Sequence, residues 1–311
     1  MKKTLFLLGI FKIALCPGAL SQNLSNLPSD LPEATICVLS GTNIANALTR
    51  DPHIKGNFTF QTPFGTSPQI YYGEVEGVPF YHIPLHGSVP VSDTSELATN
   101  TQTLLRTWSA LHQLGIREVL GGATAGAINS EFSPGDWVIP HDLIDWNSTR
   151  PRSIAKQIMG QQANFIMPRM LPADDPDLHL ILVEETQKSA PDSKVFDQGV
   201  IAQAAGGRFE TAAEIRMMKN AGCDLVTMTV ATEMAYARQL GMNYACIVGI
   251  VNPAEGLGAW DWKTLTDLYP QFHAQSVGIY LSAIPRIAKE LKDKPRAGDV
   301  LRIHPELEEE H

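Results

Sequence analysis

The chain has 311 residues, 44% hydrophobic and 18% charged, with a formal net charge of −9. That length and apolar share supply a large core, as one α/β domain or two small ones. A negative balance without a long basic run argues against nucleic-acid binding through a basic surface and leaves a small neutral ligand open.

The N-terminus has the layout of an export signal. Lys2 and Lys3 precede a mostly apolar run from Leu5 to Cys16, interrupted by Lys12, and Ala19-Leu20-Ser21 offers small residues for a signal peptidase. The run is too short to span a membrane. Residues 1–21 are therefore expected to be a signal peptide for a periplasmic or secreted protein without a membrane partner, and residues 22–33 a polar linker. Cleavage would leave Cys37, Cys223 and Cys246. Their number is odd and they lack metal-ligand spacing, so no metal is expected from them; no organic cofactor is implied elsewhere in the chain. Cys37 and Cys246 sit in apolar, strand-like runs and read as buried thiols.

Along the chain, Ala34 to Leu39 is a continuous β-branched run bounded by Ser40-Gly41-Thr42-Asn43, which predicts a buried strand and a tight turn. Val78 to Leu85 predicts a strand ending at His86-Gly87. Leu104, Leu105, Trp108 and Leu111 recur at helical spacing over Thr101 to Leu114, with Gly115 as the stop. Glu118 to Leu120 reads as a strand entering a glycine/alanine loop, Gly121 to Ala127. A short strand is expected at Trp137-Val138-Ile139. Residues 147–175 are rich in Pro, Ser and Asn and read as a long loop.

Beyond that loop the predicted elements are a helix over Asp177–Ser189, a strand over Val200–Ala205 and a helix over Ala212–Asn220. A strand at Leu225–Met228, a helix over Ala231–Leu240, a strand at Tyr244–Val251 and a terminal helix over Gln271–Leu291 complete the chain. The alternation predicts a mixed, mostly parallel sheet flanked by helices. From Lys292 the tail is charged and expected to fray.

Two segments put one polar side chain each into otherwise apolar or glycine-rich surroundings. Gly206-Gly207-Arg208-Phe209-Glu210-Thr211 offers a carboxylate acceptor, and Ile250-Val251-Asn252-Pro253-Ala254-Glu255-Gly256 an amide that donates and accepts. A 6-oxopurine presents the matching groups: an N1–H for Glu210, and O6 with N7 for Asn252. A mismatched base would leave buried polar groups unpaired, at roughly 1–3 kcal/mol each.

The order of segments resembles the trimeric purine nucleoside phosphorylase and methylthioadenosine (methylthioinosine) phosphorylase family, from about Ala34 to Ile287. The likeness rests on Ser40-Gly41-Thr42, Thr62-Pro63-Phe64-Gly65, His86-Gly87, Pro134-Gly135-Asp136 and Leu143-Ile144-Asp145 in the Asp142-to-Arg152 stretch. It continues through Arg208-Phe209-Glu210-Thr211, Met228-Thr229 with Glu233, and Asn252. It implies a single α/β domain of the nucleoside phosphorylase fold over residues 34–291, a charged tail over 292–311, and a homotrimer. It implies a purine nucleoside as substrate and phosphate as co-substrate.

Residue by residue, the resemblance implies that Phe209 stacks on the base beside Glu210 and Asn252, and that Met228 and Glu233 hold the ribose. Thr42, His86, the backbone at Thr124 and Ala125, and Thr229 match the phosphate ligands. Asn252, donating to N7, and His86 are the expected catalytic residues. The methylthioadenosine branch carries Ser and Asp where this chain has Glu210 and Asn252, so a 6-oxopurine is the implied base.

Four departures fall at the nucleophile site. Leu85 stands where the family has an Arg, the first turn reads Gly41-Thr42-Asn43, Ala123 stands where the family often has Asn or Thr, and Ser88-Val89-Pro90-Val91 lacks the family's second His. Loss of the Arg removes a fork matched to phosphate, and Arg106, Arg117 or Arg208 would have to replace it. If water were the nucleophile, the protein would be a nucleosidase with His86 or Glu233 as general base. A nucleoside-binding or storage protein is the third reading. Trp260 and Trp262 would either close an apolar 5′ pocket or lie at a subunit interface.

Overall fold

The computed structural model of the protein describes residues 31–44, 46–86, 101–147, 149–160, 167–296 and 298. The expected signal peptide, Cys16, most of the linker, the Ser88–Val91 stretch and the end of the tail lie outside them.

β1 (Ile36–Ser40) is buried along its whole length, as its unbroken apolar run requires. It pairs in parallel with β6 (Val78–Pro84) on one side and β7 (Glu118–Ala127) on the other. β13 (Asn243–Pro253) runs parallel to β7 on its far side. The opposite edge is an antiparallel meander of β2 (Ile54–Phe58), β5 (Ile70–Val75) and β6, with a small hairpin of β3 (Gln61–Thr62) and β4 (Gly65–Thr66) beside it. The meander's β5–β6 turn is Glu76-Gly77, both at positive φ (51° and 79°), the geometry of a two-residue hairpin. β8 (Trp137–Val138) and β10 (Val195–Phe196) extend the sheet beyond β13. β7 also pairs antiparallel with β12 (Leu225–Thr227), which carries β11 (Val200–Gln203) and β9 (Asp142–Asp145). The expected mixed, mostly parallel sheet is thus present, with eleven strands among the described residues.

Alternation along β1 divides the core. Cys37 and Leu39 face a cluster with α1 (Thr101–Gln113) and α5 (Val230–Gln239), where Trp108 meets Tyr236 edge-on at 5.9 Å. Ile36 and Val38 face a second cluster with α3 (Pro176–Ser189) and α6 (Trp262–Glu290), where Phe272 meets Trp137 at 4.8 Å. α4 (Ala212–Asn220) is fixed by a capping box between Thr211 and Glu214. The three cysteines at 37, 223 and 246 are free and buried.

Four readings are corrected. The segment Gly121 to Ala127 is not a loop but the second half of β7. A Cβ at Gly121 would lie 1.8 Å from the Tyr244 hydroxyl, and one at Gly122 would lie 2.3 Å from that of Tyr280. These glycines clear space for side chains crossing the sheet rather than turning the chain. The long loop carries a short helix, α2 (Ala155–Met159). α6 begins at Trp262 instead of after Pro270, because Asp261 caps it by accepting from the Thr264 backbone N–H at 2.8 Å.

The fourth correction concerns the tail, which is docked well past Lys292. Arg296 is 2% exposed and pairs with Asp175 at 2.5 Å and Glu118 at 3.3 Å. The backbone N–H of Gly298 donates to Asn243 Oδ1 at 2.8 Å.

Candidate active site

The C-terminal ends of β1, β6, β7, β12 and β13 open onto one crevice, the usual ligand position in an open α/β sheet. It contains a cavity of about 600 Å³. Thr42, His86, Thr124, Ala125, Phe209, Glu210, Met228, Thr229 and Asn252 all line it; Glu233 does not.

At one end lie Glu210 and Asn252, 9% and 4% exposed. Glu210 sits just before the α4 cap, and burial raises its carboxyl pKa above the ordinary value. Its Oε1 has no hydrogen-bond partner among the described residues. A buried acceptor left unpaired costs about 1–3 kcal/mol, so this oxygen is placed for a donor on a ligand. Asn252 follows a register shift of β13 against β7 between Ile250 and Asn252. Such an irregularity re-aims a side chain. Its Nδ2 donates to the Pro253 carbonyl at 2.7 Å, which leaves one N–H and Oδ1 for a ligand.

At the other end the Thr42 and Thr124 hydroxyls are 2.7 Å apart. The Thr229 side chain makes no capping bond to α5, so its hydroxyl is free to meet an anion near that helix N-terminus. His86 Nε2 donates to Glu233 Oε1 at 2.6 Å, and the Tyr244 hydroxyl donates to Glu233 Oε2 at 2.8 Å. Burial and the adjacent Glu233 keep the Tyr244 hydroxyl well above its ordinary pKa, so it stays a donor.

The resemblance implies a ribose role for Glu233; in the structure its two oxygens accept from His86 and Tyr244. It is 2% exposed, lies behind His86, and spends one oxygen on the imidazole.

Sequence reasoning missed two supports of this arrangement. Arg150 reaches from the loop after β9 to donate to Thr232 Oγ1 at 3.1 Å and to the Met228 carbonyl. It thereby grips the corner that presents Met228 and Thr229; burial lowers its pKa, against the pull of Glu233 and Asp145. α6 contributes Trp262, Leu265 and Tyr269 to the cavity wall. The misread helix start at Pro270 hid Leu265 and Tyr269, though not Trp262, while the Arg at 150 stood in a motif without a signal of its own. Arg106, Arg117 and Arg208 are absent from the cavity wall. Arg208 turns outward to Glu214 at 2.8 Å, and Arg106 donates to Thr103 at 3.1 Å.

At the mouth, Phe209, Trp260 and Trp262 form an aromatic triangle with centroids 5.3 to 5.7 Å apart. Trp262 is 62% exposed. Among the described residues no group of three or more His, Cys, Asp or Glu could hold a metal, and no helix is long and apolar enough to cross a membrane.

Residues 35–281 match the family model of the phosphorylase superfamily. A protein of Moorella thermoacetica named "Probable 6-oxopurine nucleoside phosphorylase" is 29% identical over 263 residues, covering 82% of this chain and 94% of the relative. The "6-oxopurine nucleoside phosphorylase" of Pyrococcus furiosus is 31% identical over 193 residues, 58% of this chain and 69% of the relative. A "Probable S-methyl-5'-thioinosine phosphorylase" of Methanothermobacter thermautotrophicus is 30% identical over 201 residues, 63% of this chain and 64% of the relative. In fold, the chain is similar to a methylthioadenosine phosphorylase from an antarctic soil metagenomic library, with a TM-score of 0.71 at 20% identity over 86% of this chain and 91% of that one. The chain belongs to the phosphorylase superfamily.

Proposed function

We propose that the protein cleaves the N-glycosidic bond of a 6-oxopurine nucleoside (inosine, guanosine or methylthioinosine) with phosphate as nucleophile, giving free base and pentose 1-phosphate. The observation that carries this reading is the buried, unpartnered Glu210 oxygen in the same cavity as Asn252. The names of the relatives support phosphorolysis over hydrolysis or mere storage.

In the reaction a phosphate oxygen bonds to C1′ as the C1′–N9 pair moves into the purine, which takes a proton from solvent on leaving. Glu210 accepts from N1–H. The free N–H of Asn252 donates to N7, a bond that strengthens as negative charge gathers on the base. Phe209 offers a stacking face and Met228 packs beneath the sugar. His86, held by Glu233, borders the phosphate, and the hydroxyls of Thr42, Thr124 and Thr229 offer it donors.

Replacing Asn252 by Asp should move relative kcat/KM from inosine towards adenosine by one to two orders of magnitude, since each matched buried hydrogen bond is worth about 1–3 kcal/mol. An unchanged inosine-to-adenosine ratio would refute the base assignment.

We further propose a homotrimer, supported by the family resemblance and by the exposed aromatic rings at the cavity mouth; light scattering on the purified protein tests it. Export is supported by Lys2, Lys3, the Leu5–Cys16 run and Ala19-Leu20-Ser21. A mature N-terminus beginning after residue 21 in mass spectrometry is the expected result, and an intact Met1 in exported protein the contrary one.

A further inference from the structure

The nucleophile end of the cavity is poor in positive charge. Its described lining residues include no Lys or Arg. Among the described lining residues the groups that face an anion there are hydroxyls, backbone N–H groups and His86. The donor count is short. Each hydroxyl carries one hydrogen, and the 2.7 Å bond between Thr42 and Thr124 consumes one of their two.

Tyr269 supplies what is missing. It lines the same cavity from α6, and its hydroxyl faces the Thr124 side chain. Burial raises its pKa above the ordinary phenol value, with Thr124 pulling the other way, so it carries its hydrogen at neutral pH. The ring is not free to swing. It stacks on His273, one turn further along α6, with centroids 5.8 Å apart and planes 19° from parallel. His273 Nε2 in turn donates to the Thr42 carbonyl at 3.2 Å. The His273–Thr42 bond ties α6 to the turn after β1, so phenol and threonine hydroxyls form one wall.

We propose that Tyr269 donates a hydrogen bond to the attacking phosphate, and that His273 is the positioning residue that fixes the phenol against the Thr42–Thr124 pair. This rests on the phosphorolysis proposed above and names a ligand of its nucleophile.

The test is steady-state kinetics of Tyr269→Phe, with phosphate varied at saturating inosine and inosine varied at saturating phosphate. Loss of one hydrogen bond to a charged group should raise the phosphate KM about tenfold, with the inosine KM moved less than twofold. His273→Gln keeps a donor for the Thr42 carbonyl but removes the stack, and should raise the phosphate KM by a smaller factor in the same direction. Matching melting temperatures show that Tyr269→Phe is folded; if it is not, isothermal titration of phosphate into His273→Gln and wild type decides, equal affinities overturning the proposal. An unchanged phosphate KM in Tyr269→Phe, while wild type requires phosphate, overturns this inference alone. Base release by wild type that ignores phosphate overturns the phosphorolysis reading and this inference with it.

Discussion

Glu210 is buried at the end of a glycine-rich segment, and its raised pKa gives it a definite pH signature. Only the ionised carboxylate offers both oxygens as acceptors to N1–H. As pH falls through the raised value the acceptor is lost, so kcat/KM for inosine should decline at a pH above the ordinary carboxylate range. Glu210→Gln should lower kcat/KM by about ten- to a hundredfold and abolish that acid limb in a pH–rate profile. An identical acid limb in the variant would assign the titration to another group. Glu210 and Asn252 were legible in the sequence because each is a polar residue stranded in an apolar or glycine-rich run. Glu233 was legible as a polar residue near the site, but its bonds to His86 and Tyr244 were not, because they depend on where α5 docks against β7 and β13. Tyr269 was not legible at all: an aromatic residue beside Pro270 reads as the end of a loop until the Asp261 cap places it inside α6.

At the level of elements, β7 and β13 form the spine of the site, and the close approach of Tyr244 to Gly121 joins them. The hydroxyl that passes over Gly121 is the one that holds Glu233, and Glu233 holds His86. A methyl group at Gly121 would sit 1.8 Å from that hydroxyl, so Gly121→Ala must displace Tyr244. It should lower the melting temperature, by the roughly 1–3 kcal/mol typical of overpacking, and reduce kcat by loosening His86. Adding Tyr244→Phe removes the oxygen but leaves Cζ at 2.3 Å and Cε2 at 2.9 Å from that methyl, so it should recover little of the stability and none of the activity. Recovery of both would mean that the Tyr244–Glu233 bond has no role in positioning His86. Sequence patterning identified most strands and helices here because their apolar runs match one burial period. It read Gly121 to Ala127 as a loop because glycine usually marks backbone freedom, whereas here it marks side chains from β13 and α6 crossing a strand. The half-exposed meander β2 to β5 carried too little apolar periodicity to be read.

For the whole molecule, the segment after α6 is fastened at Arg296 and Gly298, at the start of β7. Arg296 lies between Glu118 and Asp175, with Asn243 donating to Glu118 at 3.3 Å. Burial, reinforced by Asp175 and opposed by Arg296 and Arg117, raises the Glu118 pKa from 4.5 to about 7. The folded state therefore holds this proton more tightly than the unfolded chain. The associated stability is complete below about pH 4.5 and is lost as pH rises through about 7. Glu118→Gln lacks the titration, so its melting temperature relative to wild type should rise between pH 5 and pH 8. A difference that is constant across that range would show that Glu118 does not titrate in the fold. This docking was hidden in the sequence because the tail's charges read as solvated, and only its three-dimensional path brings Arg296 to two buried carboxylates.

The central claim is that one cavity, with a 6-oxopurine end and a hydroxyl-lined nucleophile end, transfers the pentose to phosphate. The most direct measurement is hypoxanthine release from inosine by the mature protein, with and without phosphate, together with the identity of the sugar product. The account predicts release that requires phosphate and one pentose 1-phosphate formed per base. Equal release without phosphate, with free pentose as the product, would contradict it.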